Sequence, residues 1–351
     1  MDFTPYLDMM IRHKASDIFV TAGSPVRIKI DGRLRDVGET TYDAEMCRDA
    51  VCSLMNEHQI AAYDERRELD FAVGLKDKGR FRVNAFHQRG APGMVIRYLS
   101  NRILTCEELG LPEVLNTVVM HKRGIVLMVG ATGSGKSTTL AAMIDHRNKN
   151  SSGHILTIED PVEYLHPHQG CVVNQREVGI DTLSYAAALK SALREAPDVI
   201  LIGEIRNRET MEAAIELSGT GHLAISTLHA NNAHQALQRI INMFPQDLHK
   251  TLFLDLSLNM RAIISQRLVR TVESKRAAAI EILINTPHIA DLIRDGHVEE
   301  VQEAMASSEE GGMITFDNAL LALYREGRIA LEECLANADS AANLEARINF
   351  G

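Results

Sequence analysis

The sequence is short of the features that would commit it to a membrane, an oxidising compartment or a nucleic acid. No window of its 351 residues holds the ~18 uninterrupted apolar residues of a bilayer span, so direct membrane insertion is not expected. It opens Met1-Asp2-Phe3, acidic and soon polar, where a secretory signal would be basic and then apolar. A cytoplasmic protein is the expectation. The five cysteines, Cys47, Cys52, Cys106, Cys171 and Cys334, form no C-x-x-C pair, which leaves a zinc ribbon and a disulfide framework unsupported. A net charge of −10 argues against a general nucleic-acid binder, which needs a basic stripe to neutralise phosphates. Local basic patches remain open. There is no internal repeat and no low-complexity linker.

What is present is an ordinary globular composition, 45% hydrophobic and 24% charged, in a chain long enough for two domains of roughly 100–200 residues each. Its centre is GIVLMVGATGSGKSTTLAAMI, Gly124 to Ile144. Ile125–Val129 is an apolar, branched run that reads as a buried strand, and Lys136 onward has the spacing of an amphipathic helix. Between them Gly130, Ala131, Thr132, Gly133, Ser134, Gly135, Lys136 and Ser137 spell G-x-x-x-x-G-K-S, followed by Thr138. Glycines let the backbone wrap phosphates and present its N–H groups, while the helix N-terminus adds a positive end. Lys136 would reach the β- and γ-phosphates and the Ser137 hydroxyl would ligate Mg²⁺. A chance glycine-rich turn does not account for strand, loop and helix falling in the order this mechanism demands. The implied cofactors are ATP and Mg²⁺.

Three more constellations follow. ILTIEDPVEY ends a strand with Glu159, Asp160 and Glu163, which suit polarising water and holding hydrated Mg²⁺; Pro161 would turn the chain. An acidic surface loop is the competing reading. In DVILIGEIRNRET the branched run Val199–Ile202 ends in Gly203-Glu204, with glycine where many P-loop proteins have aspartate, so the role beside the metal falls to Glu204. His229 follows a further strand, Leu223–Thr227, at the same edge. It is a candidate γ-phosphate sensor, against the alternative of a structural histidine. His222 lies at the opposite edge and is the weaker candidate.

Taken in order, residues 1–100 read as a small mixed α/β domain, 101–111 as a linker and 112–351 as strands alternating with helices, which implies a parallel sheet with crossovers. From about 277 the chain reads as largely helical, with a polar patch at Ser307 to Gly312. In the first domain VRIKIDGRL reads as one strand. RFRVNAFHQ and PGMVIRYL read as a hairpin that sets Arg80, Arg82 and Arg97 side by side. Arginine forks suit phosphate oxygens, although a solvated face explains them equally.

The quoted stretches, together with SDIFVTAGSPVRIKIDGRL, QREVGIDTLSYAAALKSALREAPDV and STLHANNA, resemble the secretion-type hexameric ATPases of type IV pili, within them the PilT/PilU retraction ATPases, and the PilU branch most. The resemblance spans nearly the whole chain. It implies a PAS-like N-terminal domain, a RecA-like P-loop ATPase core, a homo-hexameric ring and pilus retraction driven by ATP hydrolysis. It also implies a PilT-like ATPase and an inner-membrane pilus platform protein as partners, and a peripheral place at the cytoplasmic face of the inner membrane. By the same resemblance Glu163 is the catalytic glutamate, Glu204 closes an atypical Walker B, His229 belongs to the histidine box, Glu159 and Ser137 lie on the metal side, and Arg82 and Arg97 contact phosphate. Three departures stand out: Ala196 and Asn207 where acids are usual, and IADLIRDGHVEE, which keeps Ile293, Arg294 and Gly296 of a late basic motif but not its first arginine or its lysine. The first two delete no phosphate or metal ligand; the altered late motif favours a PilU-like protein, with an accessory ATP-binding ring as the alternative. A DNA translocase is disfavoured by the acidic balance.

Overall fold

The computed structural model describes residues 2–30, 32–75, 79–99, 102–308 and 312–350. The expected domain end at Ser100, the linker residue Asn101 and residues 309–311 of the polar patch lie outside these. The chain divides into two compact units, Met1–Arg102 and Ile103–Gly351.

The first unit runs α1 (Thr4–His13), β1 (Asp17–Thr21), β2 (Ser24–Ile30), β3 (Arg33–Tyr42), α2 (Ala44–Cys52), α3 (Glu57–Arg66), β4 (Glu68–Leu75), β5 (Gly79–Gln88) and β6 (Ala91–Leu99). Its strands form one antiparallel sheet in the order β3-β2-β1-β6-β5-β4. Period-two alternation sends Val83, Ala85, Met94 and Ile96 into a core shared with Leu7 and Met10 of α1. Local signals start the helices: the Asp43 side chain accepts from the Met46 N–H at the head of α2, and Asn56 and Gln59 make a reciprocal capping box at the head of α3. VRIKIDGRL is not one strand. It breaks at Gly32, whose φ of 78° suits a turn, and its halves pair as β2 and β3. Arg82 and Arg97 lie directly opposite one another across β5 and β6.

The second unit runs α4 (Val114–Val119), β7 (Gly124–Val129), α5 (Lys136–Asn150), β8 (Gly153–Glu159), β9 (Cys171–Glu177), α6 (Tyr185–Ala192), β10 (Val199–Ile202), α7 (Arg208–Gly219), β11 (Leu223–Leu228), α8 (Ala233–Ile241), α9 (His249–Asn259), β12 (Met260–Arg270) and β13 (Arg276–Ile284), then α10 (Pro287–Arg294), α11 (Val301–Ser307), α12 (Phe316–Arg325), α13 (Leu331–Ala336) and α14 (Ala341–Phe350). The sheet order is β13-β12-β7-β11-β10-β8-β9. All neighbours are parallel except β12 and β13. The central strands β7 and β10 are buried at every position, as a sheet covered on both faces requires. The chain does not turn helical at 277: that segment is β13, and helix resumes only at Pro287. AAAIEILI is apolar enough for either state, and pairing with β12 over its whole length settles it. Among the described residues no helix is long and apolar enough to cross a membrane.

Candidate active site

Parallel pairing puts the carboxyl ends of four strands at one edge. Val129 is level with Leu228, and Ile202 is level with both Ile158 and Ser226, so the segments that follow all emerge together. They are the glycine loop, Glu159-Asp160, Gly203-Glu204 and His229. A cavity of about 230 Å³ opens there, lined by Thr132, Gly133, Lys136, Ser137, Glu159, Glu163, Glu204 and His229 among others.

The loop takes its shape from glycine. Gly130, Gly133 and Gly135 have φ of 149°, 79° and 88°, values that side chains disfavour. A Cβ at Gly130 would lie 2.5 Å from the Gln266 carbonyl oxygen, and one at Gly135 would lie 2.7 Å from Gln266 Nε2. Gln266, buried on β12, braces the loop from behind. Its Nε2 donates to the Ser134 carbonyl at 2.8 Å and its Oε1 accepts from Thr139 Oγ1 at 2.7 Å. Lys136 Nζ donates to the carbonyls of Gly130 and Ala131 at 2.8 and 2.9 Å. Burial depresses its pKa, while Glu204 and Glu163 act to raise it, as groups facing one another across a site would.

The acids differ in surroundings. Glu204 Oε1 lies 3.2 Å from His229 Nε2, and its Oε2 accepts from Arg206 Nε at 2.7 Å. The turn that carries it is tied down by Thr227 Oγ1, which donates to the Gly203 carbonyl at 2.6 Å. Glu159 accepts from Thr157 Oγ1 at 2.6 Å and from Gln175 Nε2 at 3.2 Å, and the Glu163 N–H also donates to it. Burial pushes its pKa up against those three donors. Glu163 itself is exposed on the cavity rim, beyond a cis Asp160–Pro161 peptide. Thr138 does not face the cavity wall; its Oγ1 shares a 2.8 Å hydrogen bond with the Tyr164 hydroxyl. His222 is at the far edge, where its Nδ1 lies 3.0 Å from the Leu217 carbonyl.

Arg82 and Arg97 belong to the first unit. Arg97 Nε donates to Asp17 Oδ1 at 2.9 Å, and Arg82 approaches Asp70 only to 3.9 Å.

The donors fit a hydrated hard cation. Ser137, Glu159 and Glu204 present oxygens to the same cavity, yet among the described residues no cluster of three acids, histidines or cysteines could hold a metal by itself. That suits Mg²⁺, which keeps waters and relies on substrate phosphates. Ser137 and Glu204 are the better placed, since the Glu159 carboxylate is occupied by its three donors.

Sequence reasoning missed Gln266, Arg206, Gln175 and Tyr185. Arg206 was legible in GEIRNR as a charge two residues from Glu204. Gln266 had no such signal, because nothing in the pattern marked β12 as a neighbour of the phosphate loop.

A glycine loop entering a helix at the carboxyl edge of a parallel sheet, faced by acids and a histidine from adjacent strands, defines a P-loop nucleotide site. The chain belongs to the family described as Type II/IV secretion system protein, which matches residues 2–344. It is 53% identical to the type IV pilus ATPase PilU of Pseudomonas aeruginosa over 352 residues, covering 100% of this chain and 92% of that one. It is 41% identical to the retraction ATPase PilT of the same organism, over 95% of this chain and 96% of that one. The crystal structure of the pilus retraction motor PilT with bound ADP superposes with a TM-score of 0.93 at 38% identity, covering 98% and 99% of the two chains.

Proposed function

We propose that this protein is an ATP-hydrolysing motor subunit for type IV pilus retraction. The observation that carries the reading is the convergence of Lys136, Ser137, Glu163, Glu204 and His229 on one cavity, in a chain similar along its length to PilU and PilT. In this reading Lys136 exchanges its two loop carbonyls for phosphate oxygens, and the loop N–H groups hold the rest of the phosphate chain. Glu163, exposed at the rim, takes the proton of the water whose oxygen attacks the γ-phosphorus as the bond to ADP breaks. Ser137 and Glu204, with Glu159 behind them, would hold hydrated Mg²⁺, which when bound would supply positive charge beside the phosphates. His229, bonded to Glu204, senses the γ-phosphate and passes its loss to the segment leading into α8. Arg82 and Arg97 supply further positive charge to phosphate.

The finer assignments rest on the same resemblance: a PAS-like first domain, a RecA-like core, a homo-hexamer in the cytoplasm, peripheral at the inner membrane through a platform protein, and a PilT-like ATPase as partner. A second reading, an accessory ring with little hydrolysis of its own, is favoured by one feature. Arg294, the arginine kept from the late basic motif, is bound by Asp291 at 2.7 Å and Asp295 at 3.1 Å.

An ATPase assay with and without a PilT-like partner separates the two. The motor reading expects turnover by the ring alone, lost in Lys136→Ala together with nucleotide binding. Glu163→Gln and Glu204→Gln should bind ATP nearly as wild type and hydrolyse it slower by about 10²-fold or more. Wild-type turnover in Lys136→Ala would remove the phosphate-loop assignment.

A further inference from the structure

The residue that carries the catalytic turn stands outside it. Residues 160–166 leave the end of β8 as an irregular segment, and an irregular segment holds a side chain in place only if its backbone is pinned. The pins come from the neighbouring strand β9. Gln175 uses both ends of its carboxamide: Nε2 donates to the Tyr164 carbonyl at 2.8 Å and to Glu159 Oε1 at 3.2 Å, while Oε1 accepts from the His166 N–H at 2.8 Å. Two residues further along the same strand, buried Glu177 accepts from the Val162 N–H at 3.1 Å. Glu163 therefore sits between backbone groups fixed on both sides, at 162 and at 164, by side chains of one strand.

We infer that Gln175 is the positioning residue for Glu163: one side chain that ties the strand end at Glu159 to the turn at Tyr164 and His166, and so fixes where the Glu163 carboxylate stands. Three features single it out. First, only a carboxamide serves, because the two backbone partners need a donor and an acceptor at once and the third partner is a carboxylate; glutamate would lack the donors and repel Glu159, and a hydrophobic residue would lack both ends. Second, two of the three bonds cross from β9 to the segment that follows β8 and the third reaches a side chain at the end of β8, so none belongs to the backbone ladder that pairs the two strands. Third, the Thr138 to Tyr164 hydroxyl pair carries the same turn onto the first turn of α5, next to Ser137. Displacing the turn by about 1 Å is enough to cost on the order of 10²-fold in rate while Lys136 and the phosphate loop stay in place.

This inference rests on Glu163 being the catalytic base, and the test keeps the two apart. Glu163→Gln, Gln175→Met and the double variant are compared with wild type for turnover and for binding of a non-hydrolysable ATP analogue. Gln175→Met should lower kcat by about 10- to 100-fold while analogue affinity stays within about 3-fold, and it should cost little or nothing more when added to Glu163→Gln, because a misplaced glutamine is no worse than a placed one. A residue that only stabilises the fold would subtract the same factor in both backgrounds. If Gln175→Met turns over within about 3-fold of wild type, or its loss is undiminished in the Glu163→Gln background, Gln175 does not position Glu163. If Glu163→Gln itself hydrolyses ATP normally, it is the reading of Glu163 that fails. Should Gln175→Met not fold, Gln175→Ala removes the same three bonds without adding bulk or charge and is expected to show the same split between kcat and affinity.

Discussion

Gly203 shows at the scale of one residue what the pattern could and could not tell. A glycine where many P-loop proteins carry aspartate was visible in VILIGE, but the reason was not. A Cβ built there would lie 2.5 Å from the Tyr185 hydroxyl, 3.2 Å from the Ile158 carbonyl and 3.3 Å from Glu159 Cα. The space is filled by a tyrosine whose own pKa is raised, chiefly by burial, among Asp160, Glu159 and Glu204. Gly203→Ala is accordingly expected to cost about 1–3 kcal/mol by overpacking. Most of that should return in the Gly203→Ala, Tyr185→Phe double variant, read by denaturant unfolding; equal costs with and without the hydroxyl would mean the backbone contacts dominate. The departures from family pattern resolve unevenly. Asn207 keeps the capping function, accepting from the Thr210 N–H at 3.0 Å at the head of α7. Ala196 stands at φ 48°, where an Asp or Asn is better tolerated, and nothing in the structure explains the alanine.

At the scale of elements, legibility followed burial. The wholly apolar runs of β7 and β10 announced themselves, and the phosphate loop and Glu204 that follow them could be placed at one edge from topology alone. β13 was not found because its apolar run suits a helix as well as a strand, and β9 and β12 because CVVNQRE and MRAIISQRLVR carry polar residues inward where they bind the loops of the site, which erases the apolar signal. Glu281 on β13 is such a residue, 2% exposed. It accepts from the Ala233 N–H at 2.7 Å, at the head of α8, and from Ser265 Oγ at 2.9 Å. α8 begins four residues after His229. Burial raises the Glu281 pKa to about 7, helped by Asp339 and opposed by Ala233, Ser265 and Arg267. The unfolded chain titrates near 4.5, so between these values the folded state holds the extra proton. The contribution is full below the lower value and is lost as pH rises through the upper one, up to about 3 kcal/mol. Glu281→Gln should abolish that slope, gaining on wild type as pH goes from 5 to 8 in urea titrations. Parallel pH profiles for the two proteins would show that Glu281 does not change charge in this range.

For the whole molecule the open question is whether the first unit takes part in chemistry. Its two candidate arginines are unequal probes. Asp17, whose side chain is 6% exposed, depends on Arg97 for its ion pair, so Arg97→Ala strands a buried carboxylate and lowers stability whatever its role in turnover. Arg82 is 42% exposed with Asp70 no nearer than 3.9 Å, an ion pair worth about 0–1 kcal/mol at most. Arg82→Ala therefore isolates function from folding. If Arg82 meets phosphate in the working protein, its loss should slow turnover by about 10²-fold or more with the thermal midpoint unchanged, and should blunt any change in radius of gyration that a non-hydrolysable ATP analogue produces in wild type. A solvated arginine predicts neither effect. Unchanged turnover together with an unchanged scattering response in Arg82→Ala would confine the chemistry to the second unit.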